Sequence, residues 1–72
     1  MNRKQLGLRI KELRKQKGYS QNKLVKLMGY KDHSTLAKVE TGVNDITMET
    51  LYKYAEVLGV SVKEILEFDS NN

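Results

Sequence analysis

The sequence predicts an all-α fold, a single compact domain of five helices resembling no β-containing plan. Three observations carry this. Apolar residues recur at helical spacing nearly throughout, and no segment alternates like a strand. Proline is absent, so nothing interrupts a helix from within. Gly18, Gly29, Gly42 and Gly59 each follow a periodic run, where glycine commonly ends a helix. Seventy-two residues make one domain, residues 1–72, and a chain of this size buries only about 60% of its unfolded surface.

Taken in order, Leu6, Ile10 and Leu13 form the inner stripe of a first helix. Asn2 with Gln5 resembles a capping box at its start, and the helix should end near Lys17. Ser20 caps a second helix carrying Leu24, Val25, Leu27 and Met28. Asp32 caps a third, running to about Thr41. Thr47 caps a fourth, with Met48, Leu51, Ala55 and Leu58 inward. Ser61 and Glu64 make an S-x-x-E capping box for a last short helix with Val62, Ile65 and Leu66. The tail is expected to fray after Phe68.

Composition excludes several functions. The chain has no Cys and one His, His33, so it offers no disulfide and no zinc-ligand cluster. No run approaches the roughly 20 apolar residues of a membrane span, and the start has basic residues without the apolar stretch of a signal peptide. The expectation is a soluble protein of the cytoplasm, without cofactor and without enzymatic activity. Charge is uneven. Residues 1–38 hold 11 Lys/Arg against 2 acids, a net of +9, and residues 39–72 hold 2 Lys against 7 acids, a net of −5. One half of the molecule is suited to a polyanion.

The stretch "GYKDHSTLAKVETG", residues 29–42, brings only two large aliphatics to its helix, Leu36 and Val39. On a wheel of about 100° per residue these share a face with Glu40. Ser34, Ala37, Lys38 and Thr41 share the opposite face, with His33 and Thr35 towards the sides. A carboxylate on the inner face needs a partner, and Arg14, one residue past Leu13, is the candidate. A thin helix with a polar, donor-rich outer face fits the DNA major groove, about 12 Å wide. Two helices joined by a short glycine-opened turn, residues 20–41, form a helix-turn-helix, with Gln21 at the head of the first facing phosphate.

From "LR" before "KGYSQ", through Gly29, Leu36, Val39-Glu40 and Gly42, to "LGVS" near the end, the chain resembles the Cro/phage-repressor helix-turn-helix family, the XRE-type regulators. The likeness spans residues 6–66. It implies a lambda-repressor-like fold and binding to double-stranded DNA. Arg14 and Glu40 match the family's structural ion pair, and Gln21 its phosphate-contacting glutamine. His33, Ser34 and Lys38 match positions that touch base edges; Thr35 and Asn44 match positions near the backbone. Four departures matter, one of them Ile46 in place of a common proline before the fourth helix. The turn is one residue longer than the commonest form, which brings Tyr30 and Lys31 nearer the phosphates. Lys23 replaces a capping-box Glu, adding charge on the DNA side and weakening that cap. Val25 replaces a common Ala, which would set the second and third helices slightly apart.

The C-terminal helices, about residues 48–67, carry more apolar surface than so small a core needs. Val57, Val60, Ile65, Leu66 and Phe68 are expected to form a dimer surface, and Leu8 also lies off its inner stripe. A two-fold dimer would place two reading helices about 34 Å apart on an inverted repeat. The reading is a sequence-specific transcriptional regulator, a repressor acting as a homodimer on DNA, with no small-molecule ligand. An antitoxin-type protein, a restriction-modification controller and a protein-interaction module without DNA binding remain alternatives. His33 has two open roles, groove contact and simple exposure.

Overall fold

The computed structural model describes residues 2–69. The helices are α1 (Arg3–Gln16), α2 (Gln21–Met28), α3 (His33–Glu40), α4 (Met48–Leu58) and α5 (Val62–Ile65), followed by one 3₁₀ turn, Leu66–Asp69. Expected fraying at residues 70–72 lies outside the described residues.

Each start is set by a side chain accepting a backbone N–H left free by the first helical turn. Asn2 Oδ1 accepts from Gln5 N at 3.1 Å and Ser20 Oγ from Lys23 N at 3.0 Å. Asp32 Oδ1 accepts from Ser34 N at 3.0 Å, and Thr47 Oγ1 from Thr50 N at 3.1 Å. At α5 the box is complete: Ser61 Oγ accepts from Glu64 N at 3.0 Å while Glu64 Oε1 accepts from Ser61 N at 3.1 Å. The four stop glycines all have φ between 68° and 78°. The longer turn after Gly29 therefore ends where expected, with Asp32 as cap and His33 as the first helical residue.

The core joins all five helices around Ile10, Leu24, Leu36, Leu51, Tyr54, Leu58 and Ile65, each almost wholly buried. Three expectations change. Met48 is 53% exposed, because it opens α4 beyond the reach of the core. Leu27 lies at the rim, since α2 turns its Leu24–Val25–Met28 stripe inward instead. Ile65, expected on a dimer surface, is fully buried: α5 is one turn long and packs its single inward residue between α1 and α4. Arg9 locks this end, its Nε donating to the Glu64 carbonyl at 3.1 Å and its guanidinium pairing with Glu12.

Gly7 decides how closely α1 and α3 approach. A Cβ there would lie 2.2 Å from the Val39 carbonyl oxygen and 2.8 Å from that of Glu40. Both are backbone atoms, so the helices themselves would have to separate. Gly7→Ala gains about 1 kcal/mol of helix propensity but costs at least as much as ordinary overpacking, up to about 3 kcal/mol. The net expectation is a loss of about 2 kcal/mol in urea unfolding. A midpoint at or above that of the parent would contradict the close approach.

Candidate nucleic-acid interface

The inner face of α3 is tied to α1 and α2 by one polar network. Glu40 is 3% exposed and Arg14 6%. Arg14 Nε donates to Glu40 Oε2 at 2.8 Å and Nη2 to Oε1 at 3.3 Å, a forked pairing. Arg14 Nη1 donates to the Tyr19 carbonyl at 2.9 Å, gripping the loop between α1 and α2. Gln21 Nε2 donates to Glu40 Oε1 at 3.1 Å. The carboxylate thus holds the head of α2 and the root of α3 in one register. Every buried side-chain nitrogen and oxygen among the described residues has a hydrogen-bond partner.

With Leu36, Val39 and Glu40 turned inward, His33, Ser34 and Lys38 stand exposed on the outer face and Thr35 half-exposed beside them. The Ser34 hydroxyl donates to Asp32 Oδ1 at 2.6 Å, so its lone pairs are what remain to face outward. That bond, with the Ser34 N–H, holds the Asp32 carboxyl below its ordinary pKa. The outer face therefore begins with acceptors, suited to the amino groups of adenine or cytosine. It continues with the Lys38 donor, suited to guanine O6 and N7.

Lys23 and Lys31 are exposed at the head of α2 and in the turn. Asn44 is exposed in the following loop, whose position is fixed by Val43 N and Asn44 N donating to the Lys38 carbonyl at 2.9 and 3.1 Å. Tyr30 is half-buried: its ring meets Tyr54 edge-on, centroids 6.4 Å apart, and the two hydroxyls are 2.8 Å apart.

Sequence reasoning missed two contributions. A Cβ on Gly42 would lie 2.7 Å from the Lys4 Cα, so the basic start of α1, with exposed Arg3 and Lys4, abuts the end of α3. Periodicity within one helix carries no signal of such a contact. Lys53, counted with the acidic half, reaches back to the turn; its Nζ lies 4.0 Å from where a Gly29 Cβ would be, over the C-terminal end of α2, where a cation is favoured.

The apolar residues at the other end separate. Val57, Val60, Leu66 and Phe68 are half-buried against the core, and Ile65 is inside it. Leu8 is 60% exposed and shares an open groove with Gln5, Arg9, Glu12, Glu67 and Phe68. No helix of the described residues is long and apolar enough to cross a membrane.

A polar-faced helix, carried on a second helix by a glycine-opened turn and flanked by lysines, defines a helix-turn-helix DNA-binding protein. The chain belongs to the helix-turn-helix family HTH_3, which it matches over residues 10–65. Among solved structures it is similar to the restriction-modification controller protein C.AhdI from Aeromonas hydrophila. The two share 33% identity with a TM-score of 0.80, over 88% of this chain and 94% of that one. It is also similar to an HTH_3 family transcriptional regulator from Vibrio cholerae, at 30% identity and a TM-score of 0.85, over 99% of this chain but only 39% of the other. The clp gene regulator ClgR from C. glutamicum shares the fold, at 24% identity and a TM-score of 0.88, over 99% and 91%. No curated protein matches the chain.

Proposed function

We propose that the protein is a transcriptional repressor that binds an inverted-repeat DNA operator as a homodimer. The observation that carries this is the division of α3: Leu36, Val39 and Glu40 anchored inside, with His33, Ser34 and Lys38 exposed together outside. Lys38 and Ser34 read base edges, with His33 beside them. Gln21, Lys23, Tyr30, Lys31, Thr35 and Asn44 set the register against phosphates and sugars. The half-buried Val57, Val60, Leu66 and Phe68 form the two-fold contact, and Leu8 extends that apolar surface. The reading assigns the protein no reaction and no cofactor and places it in the cytoplasm.

A narrower role, control of restriction and modification genes, is supported by the likeness to the Aeromonas controller over nearly the whole of both chains. Selection of bound duplexes from a random pool tests the main reading. Expected is a consensus of two inverted half-sites with centres one helical turn, about 34 Å, apart. A lone half-site would remove the dimer, and a pool without consensus would remove sequence-specific reading.

A further inference from the structure

We infer that Tyr54, inside the core, positions the Tyr30 hydroxyl as a hydrogen-bond donor to a DNA phosphate. The inference deepens the DNA reading above and rests on it. Tyr54 is 0% exposed, and the Tyr30 hydroxyl, 2.8 Å away, is the one hydrogen-bond partner of its own among the described residues. Each phenol has a single proton to donate and can accept as well. If Tyr30 donated, the Tyr54 proton would be left without an acceptor in the core, a costly arrangement. The bond therefore runs from Tyr54 to the Tyr30 oxygen. The Tyr30 proton, freed from the inward bond, is offered outward.

The surroundings of that proton suit an anion. Tyr30 lies in the turn between α2 and α3, next to exposed Lys31. The Lys53 ammonium reaches the same turn at Gly29. A neutral donor on a turn that also carries two cations suits a phosphate oxygen, and a hydrogen bond polarised by a second one behind it is strengthened. Burial and the bond to Tyr30 both raise the Tyr54 pKa, burial the more, so the Tyr54 hydroxyl keeps the proton it donates. Edge-to-face packing of the two rings, 63° between their planes, holds the hydroxyls in place.

A mutant cycle tests the relay. Tyr30→Phe, Tyr54→Phe and the double variant are titrated against the selected duplex and a random one, with thermal melting to verify folding. Tyr30→Phe is expected to weaken binding about tenfold on both duplexes, the scale of a hydrogen bond to a charged acceptor. Its salt slope should stay unchanged, since a neutral donor releases no counterion. Tyr54→Phe should weaken binding a few-fold on both, and the double variant should bind like Tyr30→Phe alone. Full additivity would make Tyr54 a stability residue only and overturn the relay. So would Tyr30→Phe binding like the parent, a result that leaves DNA binding itself intact. A parent chain that bound no duplex would remove relay and DNA reading together. Tyr30→Phe leaves the Tyr54 proton without its acceptor, so affinities are read at a temperature where melting shows each variant folded; if Tyr54→Phe does not fold, a Tyr30→Phe affinity equal to the parent's still overturns the relay.

Discussion

Glu40→Ala is expected to lower the unfolding free energy by about 3–5 kcal/mol, the cost of leaving a buried partner charge unpaired. Arg14 is 6% exposed and has, among the described residues, only the Tyr19 carbonyl as a further hydrogen-bond partner, so its charge would remain inside without a counter-ion. At roughly 0.05–0.15 kcal/mol per residue, 72 residues hold about 4–11 kcal/mol in total. The variant therefore sits near the edge of folding. With about 4–8 °C per kcal/mol for a domain of this size, melting should fall by roughly 12 °C or more. Replacing both partners, Arg14→Met with Glu40→Leu, removes the charges together and should recover most of the loss. It also frees Gln21 from Glu40, so the recovered variant should fold yet hold the head of α2 less firmly and bind DNA more weakly. Melting curves of the single and double variants measure this. A single variant melting within a few degrees of the parent would mean that the pair contributes little and that α3 is fixed by other contacts.

The second large effect is on affinity. Neutralising phosphates releases condensed counterions, so binding should weaken by about 10³–10⁵ between 50 and 200 mM salt for 6–10 such contacts. The structure offers exposed cations for this: Lys23 and Lys31 around the α2–α3 unit, Lys38 on α3, and Arg3 and Lys4 at the start of α1, which abuts Gly42. Lys31→Ala should flatten the log–log slope by about one unit on specific and random duplexes alike. Fluorescence titration across a salt series reads both. A flat response with binding retained would favour a protein-interaction module, the reading in which the basic half serves another partner.

Much of the fold was legible because local chemistry and global packing agree. The N-cap residues Ser20, Asp32, Thr47 and Ser61 each precede a run of helical period, and each accepts a backbone N–H of the first turn it caps. The Arg14–Glu40 pair was legible because Glu40 falls on the same wheel face as Leu36 and Val39, and a carboxylate there has few ways to be satisfied. What escaped depends on distance between elements. Gly7 reads as an ordinary weak point in a helix until α3 is placed against it. Ile65 reads as surplus apolar surface until the one-turn α5 is seen to seal the core with it. The Tyr30–Tyr54 bond joins residues 24 apart, and neither ring's spacing announces the other. Lys53 belongs to the acidic half by sequence and to the basic turn by position.

Placement of the α3 outer face in the major groove is tested most directly by the affinity of Lys38→Ala for the selected operator and for a random duplex, measured side by side. Lys38 is exposed on that face, one turn beyond Ser34, and makes no ion pair among the described residues. The expected result is a loss of about 1–3 kcal/mol on the operator, roughly 5- to 150-fold, with a much smaller loss on the random duplex and relaxed preference at one base position. Equal losses on the two duplexes would reduce Lys38 to a phosphate contact and contradict base reading by this face of the helix.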